Sequence, residues 1–279
     1  VGSGQAFDPR VAETGLLDLL GQLLRHRGHL TGRAAARYHH VIGDRALPRE
    51  RDRDDFLRLI IVKLGHHKRV QRIGGAEPRV AFNADTLRNP AFFEGDRLAT
   101  FDCVIANPPF SLEKWGEDLW LSDPFGRNFA GLPPSSSGDF AWVQHMVKSM
   151  AVGSGRMAVV LPQGALFRKG AEGSIRQALL EMDLVEAVIG LAPNLFYGTG
   201  IPAAILIFKK QKVDDNVLFI DASREFKAGK NQNLLSPENI AKMASVHGMS
   251  ADANYRYGQN QFIKQMESRG AVTTNPLLN

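Results

Sequence analysis

The sequence predicts an α/β fold: a mostly parallel sheet with helices on both faces and a terminal antiparallel hairpin. Two patterns predict it. Short apolar runs rich in Val, Ile and Leu alternate with longer stretches whose apolar residues recur at helical spacing, and that alternation implies βαβ units. Several of the short runs stop at Pro, which donates no ladder hydrogen bond and so ends a buried strand abruptly. At 279 residues and 44% hydrophobic, the chain can bury a substantial core within one large domain.

The elements follow in order. Leucines at helical spacing predict a helix over 16–24, and the apolar run 56–64 reads as a buried helix. Short strands are expected at 80–83 and 103–106, the second halted by Pro108 and Pro109. Residues 139–152 form the next expected helix, with Phe140, Val143, Met146, Val147 and Met150 on one side and Gly153 and Gly155 closing it. A buried strand at 157–161, stopped by Pro162, leads to a helix near 174–182. Strands at 184–191, 203–208 and 217–220 complete the pattern. Beyond Met243 the sequence is polar and predicts irregular structure, and no internal repeat is visible.

Charge and cysteine content narrow the classes. A net charge of +5 suits a nucleic-acid partner, but the excess is spread through segments such as Arg25-His26-Arg27 and Lys68-Arg69, so a solvated basic surface explains it equally well. The single cysteine, Cys103, excludes an internal disulfide and a multi-cysteine zinc site. It lies inside a predicted strand, where a thiol is usually inert, which argues against chemistry through a cysteine adduct. With no signal peptide and no apolar run long enough to span a bilayer, a cytoplasmic protein without membrane contact is expected. The absence of an initial Met leads us to expect a fragment or a processed chain.

The motif that carries chemistry is Asn107-Pro108-Pro109-Phe110. Two prolines make a stiff loop at the carboxyl end of an α/β strand, where such sheets bind ligands. Methylation of an exocyclic amine such as N6 of adenine needs acceptors for the amine hydrogens, so that the nitrogen lone pair turns toward an electrophilic methyl group. The Asn107 side-chain oxygen and the Pro108 carbonyl suit that task, and Phe110 offers a face on which an extruded base can stack. The plain alternative is a Pro-Pro turn after a core strand.

Longer segments extend the pattern: Phe101-Asp-Cys-Val-Ile-Ala-Asn-Pro-Pro-Phe-Ser111, Asp123-Pro-Phe-Gly-Arg127, Gly138-Asp-Phe-Ala-Trp-Val-Gln-His-Met146, Gly155-Arg-Met-Ala-Val-Val-Leu-Pro162, Asn194-Leu-Phe-Tyr-Gly-Thr-Gly-Ile-Pro202 and Phe219-Ile-Asp-Ala-Ser223. In that order, from Arg79 to Met243, the chain resembles the modification (methyltransferase) subunit of type I restriction-modification systems, the N6-adenine DNA methyltransferases. The resemblance implies a class I methyltransferase-like, Rossmann-like fold. It also implies S-adenosylmethionine as cofactor, DNA as substrate, and a specificity (S) subunit and a restriction (R) subunit as partners. By the same resemblance Asn107, Pro108, Pro109 and Phe110 are catalytic. Asp8, Gly15, Asp85 and Asn107 hold the cofactor, and Phe110, Phe196 and Tyr197 face the substrate. Residues 1–245 would be the catalytic domain, its first 78 residues divergent, and 246–279 an irregular extension.

Some positions keep two readings. Phe7-Asp-Pro-Arg-Val-Ala-Glu-Thr-Gly-Leu-Leu17 resembles the family's cofactor loop, but Ala12 and Thr14 stand where its first two glycines belong, which predicts weakened cofactor binding. The ribose-binding acid has no clear position; Asp44 is a weak candidate within an acid- and arginine-rich run. Asp85 and Asp139 are also natural helix N-caps. Phe196 and Tyr197 either stack on a base or pack a Gly-rich turn onto the sheet. The segment 131–138 reads as a mobile substrate-facing loop or an ordinary surface loop. His145 has no metal-binding partners at suitable spacing. Competing functions are a catalytically weakened homologue acting as a DNA- or subunit-binding scaffold, and a methyltransferase for N4 of cytosine or another amine. Protein-glutamine methyltransferases typically carry Tyr where Phe110 stands.

Overall fold

The computed structural model describes residues 85–90, 92–196, 199–212 and 215–249, the strand Leu59–Lys63, and Leu16, Leu19, Leu20, Gln22 and Leu23 of an N-terminal helical segment. Asp8, Ala12, Gly15, Asp44, the expected strand 80–83 and Tyr197 lie outside the described residues.

A six-stranded sheet forms the centre. Its strands, with the small hairpin β2–β3, are β1 (Leu59–Lys63), β2 (Phe93–Glu94), β3 (Arg97–Leu98), β4 (Cys103–Asn107), β5 (Arg156–Pro162), β6 (Val185–Leu191), β7 (Ala203–Lys209) and β8 (Leu218–Ala222). The order across the sheet is β1-β4-β5-β7-β6-β8. β7 runs antiparallel to both of its neighbours, whereas the pairs β1–β4, β4–β5 and β6–β8 are parallel. The terminal hairpin expected of 203–208 with 217–220 is not formed: β7 pairs antiparallel with β6 instead, and the last strand, β8, lies parallel on the other side of β6.

Alternation along the strands explains the two layers of core. Val104, Ala106, Met157, Val159, Leu161, Leu206 and Phe208 point to one face, where α2 (Asp139–Lys148) and α3 (Ala171–Glu181) cover them through Phe140, Val143, Met146, Ile175 and Leu179. Cys103, Ile105, Ala158, Val160, Ile205 and Ile207 point to the other, covered by Leu16, Leu19, Leu20 and Leu23 and by Ile240 and Met243 of α4 (Pro237–Met249). A short α1 (Glu117–Trp120) and a 3-10 turn (Gln163–Leu166) sit in the loops.

Three further expectations are corrected. Residues 59–63 form a strand, not part of a helix: β1 pairs with β4 from Leu59–Cys103 to Lys63–Asn107. A short apolar run cannot be assigned by period alone, and the β-branched Ile60, Ile61 and Val62 favour the sheet. The helix beginning at Asp139 ends at Lys148, short of Val152. Ser149 stops it: its hydroxyl bonds the His145 carbonyl, while Phe101 N–H donates to the Ser149 carbonyl and Ala151 N–H to the Phe101 carbonyl, drawing 149–151 off the helix axis. Beyond Met243, where irregular structure was expected, α4 continues to Met249 with His247 buried.

Candidate active site

The strand directions bring the carboxyl ends of β4, β5 and β6 to one edge of the sheet, the edge at which such sheets bind ligands. β4 ends at Asn107, which is half-buried; Pro108 behind it is buried and Pro109 is exposed. The prolines end the ladder, so the chain leaves the sheet at once. Phe110 is partly buried and meets Phe196, from the segment after β6, at 5.3 Å between ring centroids with planes 67° apart. Both rings also rest on the apolar layer below. Asn107, Pro108, Pro109, Phe110 and Phe196 are thus gathered at the same edge.

The turn after Phe110 is held from outside. Ser111 adopts φ 49°, a left-handed conformation that an L residue takes at a cost. Its N–H donates to Asp139 Oδ1 at 2.8 Å. Asp139 is fully buried and stands first in α2 after the capping residue Gly138, with no capping hydrogen bond from a side chain at this end. The N-cap reading of Asp139 therefore gives way: its carboxylate reaches across to the β4 loop. The Arg168 guanidinium donates to Asp139 Oδ2, to Glu172 Oε1 at 2.8 Å and to Ser137 Oγ at 3.3 Å, and Ser137 Oγ itself donates to Glu172 Oε1 at 3.1 Å. Burial works against the charge on Arg168, but the Glu172 and Asp139 carboxylates more than offset this and raise its pKa.

Around this pair the two loops are zipped together. Gly138 N–H donates to the Leu112 carbonyl at 2.8 Å, Lys114 N–H to Ser135 at 2.9 Å, and Trp115 Nε1 to Pro134 at 2.9 Å. A β-carbon at Gly138 would lie 3.0 Å from the Trp115 ring, so this close approach favours glycine. The segment 131–138, read from the sequence as a mobile substrate-facing loop or an ordinary surface loop, is fastened along 134–138 to the loop that follows β4. Arg168 and Glu172 were missed in the sequence. Their one local signal is an i,i+4 charge pair, which by itself reads as a solvated surface pair.

Asp85 makes a different set of contacts. Its Oδ1 accepts the Arg88 N–H at 3.2 Å, the pattern of an N-cap, and its Oδ2 lies 3.3 Å from Arg88 Nε. Arg88 continues to the Lys114 carbonyl at 2.6 Å and passes over Gly116, where a β-carbon would lie 2.7 Å from the Arg88 stem. Residues 86–88 form a turn and not a helix, so Asp85 closes a turn instead of capping a helix, and an ionised carboxylate retains further acceptor capacity.

Another arginine, Arg127, is buried in a separate cluster. Arg127 bonds Asp123 through NH2 at 2.7 Å and Nε at 3.0 Å, and it lies 4.6 Å from the centroid of the Trp120 ring. It also donates to the Thr86 carbonyl at 3.2 Å and approaches His145 Nδ1 at 3.5 Å. Arginine only donates, so His145 Nδ1 is an acceptor and the imidazole is neutral. Burial first, and the Arg127 charge second, lower the His145 pKa to about 3. Among the described residues no cluster of His, Cys, Asp and Glu is suited to a metal ion, and no helix is long and apolar enough to cross a membrane.

The family model for N-6 DNA Methylase matches residues 72–273, more than half of the chain. The chain belongs to the N-6 DNA methylase family. Among similar proteins are the type I restriction enzyme MjaVII methylase subunit of Methanocaldococcus jannaschii, 37% identical over 58% of this chain and 29% of the relative, and the MpnII methylase subunit of Mycoplasma pneumoniae, 37% identical over 62% of this chain and 33% of the relative. The crystal structure of the type I restriction-modification system methyltransferase subunit from Streptococcus thermophilus superposes with a TM-score of 0.54 at 40% identity, covering 60% of this chain and 35% of that one. The matched region spans roughly a third of the length of these relatives. The mixed sheet with helices on both faces is the class I methyltransferase-like fold expected from the sequence.

Proposed function

We propose that this chain is the catalytic region of a type I restriction-modification methyltransferase subunit that methylates N6 of an adenine drawn out of DNA. The observation that carries this reading is Asn107-Pro108-Pro109-Phe110 leaving β4 at the carboxyl edge of the sheet, with Asn107 half-buried and Phe110 set against Phe196. In this reading the Asn107 amide oxygen and the Pro108 carbonyl accept the two hydrogens of the target amine, which turns the nitrogen lone pair away from the ring plane. The base lies on the Phe110 face and Phe196 closes one side, and by the family resemblance Tyr197 is a further substrate-facing residue. A base seated in this crevice is shielded from competing water.

S-adenosylmethionine, when bound, supplies an electrophilic methyl group. Asp8, Gly15, Asp85 and Asn107 are the residues proposed to hold it. The acceptor capacity left on the Asp85 carboxylate suits an adenine amino group. Ala12, Glu13 and Thr14 add β-carbons and a negative charge where the family turn is glycine-rich, so weak binding by the isolated chain is expected. Ala12→Gly, Glu13→Thr and Thr14→Gly together should tighten it in a calorimetric titration; low-micromolar binding by the unaltered chain would show that these residues lie elsewhere. DNA, a specificity subunit and a restriction subunit are the proposed partners, in a cytoplasmic complex.

Asn107→Ala tests the assignment. Loss of a hydrogen bond aimed at the reacting group costs about 3–4 kcal/mol of transition-state stabilisation, roughly a hundredfold or more in rate, with the fold intact. Methyl transfer at the wild-type rate by the variant, in a competent complex, would remove Asn107 from the mechanism.

A further inference from the structure

We propose that Arg168 is the positioning residue of this site: it aims the Asp139 carboxylate at the Ser111 amide and so sets the geometry of the loop that leaves β4 after Asn107 and carries Phe110. The link to catalysis rests on the function proposed above; the link to loop geometry does not.

Ser111 follows directly on Phe110 with φ 49°, so the loop turns sharply through a conformation that side chains disfavour. A turn of that kind persists where surrounding contacts over-determine it. Here the contact on the Ser111 amide is Asp139 Oδ1 at 2.8 Å. Asp139 is fully buried, and a buried carboxylate keeps its aim only if its other oxygen is held by a donor. Arg168 supplies that donor to Oδ2. Its own position is fixed from the far side by Glu172, in the first turn of α3, and by the Ser137 hydroxyl. One planar guanidinium thus joins three segments that follow from different parts of the chain: the loop after β4, the start of α2 and the segment after β5. Lysine offers a single point charge and cannot span both carboxylates in this way.

A bolt that merely held α2 to α3 would stabilise those helices and leave the β4 loop indifferent. Amide hydrogen exchange on the full-length chain separates the two roles. In Arg168→Met, amides of 110–115 should exchange about tenfold faster or more, the loss of a charge-assisted hydrogen bond, while 140–148 and 157–161 change by less than about twofold. Arg168→Lys should fall between wild type and Arg168→Met. In a complex that methylates DNA, kcat should fall with loop protection across the three proteins while the KM for S-adenosylmethionine stays level. Unchanged exchange over 110–115 would overturn the proposal, and so would equal acceleration in all three regions. Should Arg168→Met not fold, Arg168→Lys decides by the same exchange pattern. Failure of the wild-type chain to methylate DNA in a competent complex would count against the proposed function, with the exchange result standing on its own.

Discussion

Arg127 and Arg168 are both paired with buried carboxylates, and they differ in what encloses them. The Arg127 side chain is 2% exposed and Asp123 opposite it is 1% exposed; a Trp120 ring, the Thr86 carbonyl and His145 complete its surroundings. The Arg168 side chain is 30% exposed, although Asp139 and Glu172 are buried, and its bonds lead to the loops that line the crevice. The first arginine is a closed clamp within the fold. The second transmits position from helices to a loop. One pairing chemistry therefore serves stability in one place and geometry in another, and the contrast can be tested.

The largest effect is expected where the pair is sealed. Arg127→Met leaves Asp123 buried without its partner, and breaking such a pair costs about 3–5 kcal/mol of global stability. Urea unfolding measures it. An equal loss from Arg168→Met would erase the distinction between the two arginines.

On the crevice side the expected effect appears in capture of the base and not in folding. Phe110→Ala should weaken that capture by about 1–3 kcal/mol per base, with Phe110→Trp retaining part of the activity. Methylation assays on both variants give the answer, and equal activities would show that stacking is not the role of this ring.

The clamp also predicts a pH dependence. His145 has a pKa of about 3 in the fold against an ordinary 6.5, so below pH 6.5 the unfolded chain takes up a proton that the folded chain refuses. Its contribution is fully present above pH 6.5 and is lost progressively as pH falls from 6.5 toward 3, by about 2 kcal/mol at pH 5. His145→Gln should flatten that part of the stability profile. Identical profiles for the two proteins between pH 7.5 and 5 would place the titration elsewhere.

The smallest effect is expected at Ser111. Glycine accepts φ 49° freely and keeps the N–H that Asp139 receives, so Ser111→Gly should change stability by no more than about 1 kcal/mol. A larger loss in urea unfolding would mean that the serine side chain itself supports the turn.

Much of this was legible in the sequence where punctuation is strong. β4, β5 and the catalytic-motif loop follow from apolar runs stopped by Pro108, Pro109 and Pro162, and the start of α2 follows from Gly138 and Asp139. What escaped depends on tertiary contacts. Residues 59–63 become a strand because β4 offers a parallel partner. α2 ends early because Phe101 captures 149–151. Asp139 obeys the capping preference in composition alone: Gly138 takes the cap, and the carboxylate is claimed by Ser111 and Arg168, which lie 28 and 29 residues away in sequence. No local pattern announces a pairing over that distance.

The reversal of β7 has a consequence for how such a crevice can change. Because β6 and β7 are antiparallel neighbours, the connection that carries Phe196 leaves and re-enters the sheet at the same edge. A parallel β7 would have required a crossover over one face, and residue 196 would have been carried away from Phe110. A hairpin connection can gain or lose residues without any strand having to move, and doubling its length costs only about 0.6 kcal/mol in closure entropy. The wall facing Phe110 is thus the part of the crevice most open to insertion and deletion, so a lineage could reshape it while the strand bearing Asn107 stays fixed.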